Sequence, residues 1–227
     1  MNRKQIFVAF IASVSLGTAA QALDLKKLPK LPGSSSVAPA ATPAADGNPQ
    51  GMQEGLVQRY VQASTSFNTA LRELALAYGL KDHAAKLDAE IAALQSGAVS
   101  DKDSLKKNTQ VSSEAQAAVQ ERMDAGEKLN DEGKKHYAAA WEPYITGVRT
   151  TRTLPDEARN FRSAAQSQID SASIVEKARV VSKFSAGTYL VGEVPGFLNR
   201  VTTGFGQLLS YAQKNDIPVP KDATSVL

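Results

Sequence analysis

Apolar residues in the first half of the chain recur at the three- and four-residue spacing of an amphipathic α-helix. One such face consists of Tyr60, Ser64, Phe67, Leu71, Leu74 and Tyr78. Side chains at these spacings lie along one side of a helix and are expected to face a core. Gly79 follows this face directly, and glycine tolerates the left-handed conformation in which many helices end. The pattern therefore predicts a first helix that ends near residue 78.

Two further helices follow in the pattern. A shorter one places Leu87, Ile91 and Leu94 on one face and ends before Gly97. Ser100, with Asp103 three residues later, resembles a capping box and predicts the start of a third helix. Pro143 is expected to kink or end that helix near residues 139–142, because proline lacks the N–H that an interior helical position needs.

The third helix carries small residues at regular intervals. A column at intervals of seven consists of Leu105, Ser112, Val119, Gly126, Gly133, Ala140 and Gly147. A seven-residue repeat keeps one seam of a helix against a partner helix. Glycine is unfavourable inside a helix by about 1 kcal/mol relative to alanine, so its repetition favours a seam at which two backbones approach closely.

The C-terminal part of the chain predicts more helices and no strand. Pro155, followed by Asp156 and Glu157, is typical of a helix start. That helix is expected to break near residues 171–173 and to resume over 174–190, before a turn at residues 192–196. A last face consists of Leu198, Val201, Phe205, Leu208 and Ala212. The predicted fold is all-α: an elongated bundle of five or six helices without a sheet.

The N-terminus has the three parts of a bacterial export signal. Arg3 and Lys4 are its positive region, residues 6–16 are its short apolar region, and residues 20–22 read Ala-Gln-Ala, a cleavage site. We expect residues 1–22 to be a cleaved signal peptide, and the protein to be periplasmic or secreted. No cysteine follows the site, so a lipoprotein is excluded.

The next residues differ in composition from the rest. Half of the prolines of the chain fall in residues 23–50, among alanines and serines, so this leader is expected to be disordered. Residues 51–227 are expected to form the α-helical domain, with no transmembrane segment in the mature chain.

Charge and residue usage exclude several classes of function. Residues 51–227 carry 21 basic and 21 acidic residues, and a neutral domain gains little from phosphate contacts, so nucleic acid is not an expected partner. The chain has no cysteine and two histidines. His136 and Glu132 are spaced as only half of a metal site. We therefore predict no metal, no cofactor and no enzymatic activity.

Two groups of residues are candidate binding sites. Residues 184–213 include only Glu193 and Arg200 as charged residues, which predicts a helical hairpin serving as core, pocket lining or interaction surface. The candidate apolar surface consists of Trp141, Tyr144, Phe184, Tyr189, Phe197, Phe205 and Leu209. A candidate anion-binding cluster near a helix start consists of Arg149, Arg152, Arg159 and Arg162.

Two functions fit these observations. The first is an exported, non-catalytic helical bundle that binds a protein partner or an envelope component. The alternative is a periplasmic carrier of a lipid or another apolar small molecule held between helices, since bundles build pockets between their helices.

Overall fold

The computed structural model describes residues 48–225. The predicted export signal, residues 1–22, and nearly all of the predicted leader, residues 23–50, lie outside them. The helices are α1 (Pro49–Ala77), α2 (Lys81–Gln95), α3 (Lys102–Asp124), α4 (Asp131–Ala139), α5 (Trp141–Thr151), α6 (Leu154–Ser171), α7 (Ile174–Lys183) and α8 (Ser185–Lys214). A 3₁₀ turn follows at Ala223–Ser225.

The all-α helical bundle is confirmed, and residues 48–225 contain no strand. The helices α4 and α5 are separated only by Ala140, and α7 and α8 only by Phe184. If each of these pairs is counted as one interrupted helix, the bundle has six helices. Within the same residues, none of the helices combines the length and the apolarity required to cross a membrane.

The helix α1 is the centre of the bundle. It contacts α2, α3, α4, α5, α6 and α8. Its predicted inward face is confirmed, because all six residues of that face are buried, from Tyr60 at 1% exposure to Tyr78 at 6%. Gly79 has a φ of +67° and follows the helix end, as its position predicted. Asn48 caps the first turn, since its side chain accepts a hydrogen bond from the N–H of Gln50.

The predicted seam is interrupted. The helix α3 ends at Asp124, and Gly126 has a φ of +69°, so this glycine terminates a helix instead of lying inside one. The Asn130 side chain then caps α4 by accepting from the N–H of Gly133 at 2.8 Å. The other members of the seven-residue column are nevertheless buried, because α4 and α5 continue along α1 after the loop.

The prediction of a turn at residues 192–196 is wrong. The helix α8 runs without interruption for 30 residues and contains Pro195. Val194 and Phe197, on either side of this proline, are both buried. Burial of one continuous face therefore outweighs the backbone hydrogen bond that the proline removes.

The other local signals hold with small shifts. The start of α6 at Leu154 and the break before α7 are confirmed. The capping box of α3 is formed by Asp101 and Ser104, one residue later than the predicted pair. On α2, Glu90 is buried and Ile91 only half-buried, so the inward face is rotated from the predicted one.

Candidate functional site

The candidate apolar surface lies mostly in the core. Five of its seven members are less than 4% exposed, and Tyr189 and Leu209 are half-buried. The five buried members are Trp141, Tyr144, Phe184, Phe197 and Phe205. The structure brings all of these except Phe184 together around α1, α5 and α8. The Phe205 ring lies 5.9 Å from Trp141 and 5.5 Å from Tyr144, measured between centroids. These aromatic residues fill the bundle and leave no open apolar surface of their own.

Two tyrosines of this core hold α8 through hydrogen bonds. The Tyr137 hydroxyl donates to the Leu208 carbonyl at 2.7 Å, and the Tyr144 hydroxyl donates to the Val201 carbonyl at 3.1 Å. Burial raises the pKa of both phenols far above the usual value. They therefore stay protonated donors, and their role is to position the helix.

The four arginines of the candidate anion cluster are all exposed, on or next to α5 and α6. Arg149 pairs with Asp222 at 3.0 Å, and Arg159 pairs with Asp156 at 2.8 Å. Two of the four charges are thus balanced by different carboxylates. Arg152 and Arg162 complete the set, at the C-terminal cap of α5 and on α6.

His136 lies in a small polar network on the bundle surface. Its Nδ1 atom is 2.7 Å from Glu73, and its Nε2 atom is 3.8 Å from Glu132. Arg72 contacts the other oxygen of the Glu73 carboxylate. In the described part of the chain, no group of three or more histidine or acidic side chains is arranged to hold a metal ion.

Two clefts open on the surface, and polar side chains predominate in both. The larger, of about 370 Å³, lies between α1 and α5 and is lined by Thr65, Ser66, Thr69, Glu73, Ala139, Glu142, Pro143 and Thr146. The smaller, of about 230 Å³, lies at the C-terminal end of α8 and is lined by Lys128, Leu129, Lys134, Lys214, Asn215, Asp216 and Ile217.

The most exposed apolar side chains lie on α7, which the sequence did not single out. Ile174 is 91% exposed, Val175 is 89% exposed and Val181 is 52% exposed, and α7 contributes no buried residue. Isolated exposed aliphatic residues are ordinary, but here three lie on one short helix and form an exposed apolar strip. The spacing of apolar residues did not predict this exposed face, because an amphipathic pattern does not show whether its apolar face is covered.

Basic side chains border this exposed face. Ile174 and Val181 lie seven residues apart, on the same side of the helix. At about 100° per residue, the strip of Ile174, Val175, Ala178 and Val181 covers about 120° of the helix circumference, and Lys177 and Arg179 each lie about 40° outside one of its two edges, whereas Lys183 lies on the opposite side. We call this strip, with its two bordering cations Lys177 and Arg179, the α7 face.

The one acidic residue of α7 is used by the helix itself. Glu176 accepts a hydrogen bond from the Ser173 hydroxyl at 2.6 Å and another from the Ser173 N–H at 3.2 Å. These bonds lower the pKa of Glu176, with the hydroxyl bond as the larger cause. The carboxylate thus stabilises the start of α7, and the charge beside the apolar strip is mainly positive.

The C-terminal end of α7 lies close to the first turns of α1. The Gln53 side chain donates to the Lys183 carbonyl at 3.2 Å and accepts from the Gly187 N–H at 2.9 Å. The bundle therefore fixes the end of α7 and leaves its N-terminal turn, with Ile174 and Val175, projecting into solvent.

Comparison with protein-family models, with curated proteins and with solved structures finds no match to this chain. The class that the structure defines is thus that of an all-α helical bundle, and its function has to be argued from its surface.

Proposed function

We propose that this protein is an exported helical bundle that binds an envelope component, the anionic surface of a membrane, through the α7 face. The observation that carries the proposal is the coincidence of strongly exposed Ile174 and Val175 with two bordering cations, Lys177 and Arg179. Apolar side chains that enter the headgroup region, with basic residues at its edge, are the usual design of a helix that lies on a membrane.

The free energies that the α7 face can contribute are those of reversible membrane binding. Full burial of one Val or Ile side chain is worth about 1.5–3 kcal/mol, and a basic residue near an anionic bilayer contributes about 1 kcal/mol. The α7 face has three exposed aliphatic residues and two bordering cations. Only part of each aliphatic side chain enters the interface, so these contributions support association without permanent insertion.

A membrane fits the shape of this face better than a protein groove does. The face is about two turns of projecting aliphatic residues, and its cations lie on both flanks, which suits a broad anionic plane.

No contact in the bundle favours the lipid-carrier alternative. The aromatic residues on which it rested are packed against one another, with centroid distances of 5.4 Å for Phe67 and Tyr144 and 5.9 Å for Phe67 and Phe197. The carrier is therefore not proposed further.

The test is co-sedimentation of the mature chain with vesicles. We expect binding to vesicles that contain phosphatidylglycerol and little binding to vesicles of phosphatidylcholine alone. Ile174→Asp with Val175→Asp removes the apolar tip, and Lys177→Gln with Arg179→Gln removes the two bordering cations. Each double variant is expected to lose most of the binding.

A matched control separates this effect from a general one. Ala85 and Ala89 are exposed on α2, so Ala85→Asp with Ala89→Asp adds the same charge elsewhere and should leave binding unchanged. Equal sedimentation of the α7 variant and the wild-type chain would contradict the proposal. So would absence of wild-type binding to anionic vesicles, which would redirect the search to an acidic protein surface.

A further inference from the structure

The helix α3 is held to the bundle by an unusually polar interface. Its buried residues are Leu105, Asn108, Ser112, Ala115 and Val119. Only two of these five have large apolar side chains. The buried face of α8, by comparison, includes Leu190, Val194, Phe197, Val201, Phe205 and Leu208. Apolar burial is the main force that holds helices together, so α3 gains less of it than α8, although Val111 and Met123 of α3 also pack half-buried against the core.

Several polar atoms under α3 have no hydrogen-bond partner within the described residues. The Ser112 hydroxyl donates to Asn68 Oδ1 at 2.6 Å, but Asn68 Nδ2 is unpaired. Both amide atoms of Asn108 are also buried and unpaired. Such atoms are costly in a closed interface and become satisfied when water enters. The balance between the closed and hydrated interfaces is thus shifted towards hydration.

An ion pair between Lys107 and Glu90, at 2.7 Å, links α3 to α2, whereas the polar contacts of α3 with α1 and α8 are hydrogen bonds that water can replace. The Thr109 hydroxyl contacts the Tyr60 hydroxyl at 2.9 Å and accepts from the Tyr189 hydroxyl at 3.1 Å. The Gln116 amide donates to the Arg200 carbonyl at 3.0 Å, and its Oε1 atom is buried without a partner. These groups line the contact of α3 with α1 and α8.

Both ends of α3 can accommodate movement. Gly97 precedes it with a φ of +76°, Gly126 follows it with a φ of +69°, and no heavy atom surrounds the Cβ position of either. The N-terminus is capped within the helix, because the Asp101 side chain accepts from the Ser104 N–H at 3.0 Å. An opened α3 would therefore keep its own helical start.

We propose that α3 opens from α1 and α8 as one unit while the rest of the bundle stays folded, and that the opening admits water to the groove beneath it, at Tyr60. This inference concerns a different element from the α7 face and stands independently of the proposed function. The fold thus contains a movable helix, and the polar interface beneath this helix stabilises the closed state only weakly.

Native-state hydrogen exchange of the mature chain tests the proposal directly. The amides of α3 should exchange together, at least about tenfold faster than those of α1, and with weak dependence on denaturant. Exchange of α3 at the rates and denaturant dependence of α1 would overturn the proposal, because α3 would then open only by global unfolding.

A disulfide staple provides the second arm. The chain has no cysteine, so Asn68→Cys with Ser112→Cys offers a single bond, at a place where the native side chains already touch. The oxidised form should slow α3 exchange to the level of α1, and reduction should restore it. The single variant Asn68→Cys is the control. If oxidation forms the bond and leaves α3 exchange unchanged, opening of α3 is excluded.

Asn108→Leu addresses the cause of the opening. Leucine has the same number of side-chain heavy atoms as asparagine, with the same branching at Cγ, and removes both unpaired amide atoms. Exchange of the α3 amides should slow in this variant, with little change in α1. Faster exchange of the α3 amides in Asn108→Leu would contradict the role assigned to the polar interface of α3.

Discussion

A Cβ atom added to Gly133, on α4, would lie only 2.6 Å from the carbonyl oxygen of Ala77, the last residue of α1. A side chain at this position collides with backbone, which has few ways to yield. Gly133→Ala is therefore expected to reduce the free energy of unfolding by about 1–3 kcal/mol, although alanine is the better helix former. Chemical denaturation of the variant and the wild-type chain measures the difference.

Gly206 is the matched control for this substitution. It lies inside α8, is exposed, and has no heavy atom within 4 Å of its Cβ position. Gly206→Ala should stabilise the protein by up to about 1 kcal/mol. Stabilisation by both substitutions would show that α4 and α1 do not approach closely.

Phe205 is expected to be a large contributor to stability. It is fully buried, and its ring contacts those of Trp141 and Tyr144. Phe205→Ala should lower the free energy of unfolding by about 3–5 kcal/mol. Leu209→Ala, at a half-buried position one turn further along, should cost clearly less. Similar losses in urea denaturation of the two variants would contradict the packing of α8.

Lys107 is expected to stabilise the protein although it is exposed. Its Nζ atom lies 2.7 Å from a carboxylate oxygen of Glu90, whose side chain is only 5% exposed. Lys107→Met leaves that carboxylate without its cation and should cost about 1–3 kcal/mol. Adding Glu90→Leu should restore most of the loss, and Lys106→Met is the control. A neutral Lys107→Met variant would contradict this prediction.

The start of α7 should weaken in acid. Hydrogen bonds from Ser173 lower the pKa of Glu176 in the folded chain. The cap is therefore fully formed at pH values above the pKa of this glutamate in the unfolded chain, about 4.3. Its contribution is lost as the pH falls through the lowered folded value. Amide exchange at the first turn of α7 should therefore rise in acid, and Glu176→Gln should remove this pH dependence. A profile unchanged by the substitution would exclude Glu176 as its source.

Local signals predicted most of the helix boundaries, because they depend on chemistry that adjacent residues contain. The glycine after α1 and the proline that opens α6 are examples, and the structure confirms both. The prediction of the seam is wrong at Gly126, because a glycine in a sequence is compatible either with close helix contact or with the end of a helix. Asn130, a good N-cap four residues later, was the signal that favours termination.

The errors in the candidate site have a common physical origin, since a sequence does not specify which apolar face another helix covers. The stretch around Phe197 was a candidate surface, but α1 packs on it, with the Tyr60 ring 5.0 Å from Phe197. Phe197→Ser is therefore expected to behave as a core substitution. The shorter α7, with its weaker apolar content, keeps its face exposed because no other helix within residues 48–225 covers it.

The most direct test of membrane binding places a polarity-sensitive fluorophore on α7. The chain has no cysteine, so Val175→Cys gives a single labelling site at the projecting turn, and Ala89→Cys on α2 gives a control site. On anionic vesicles, the fluorophore at position 175 should shift to shorter wavelength and become shielded from an aqueous quencher, while the one at position 89 should not change. Equal responses at the two positions, or no response at position 175 while the protein is bound, would contradict the assignment of the α7 face.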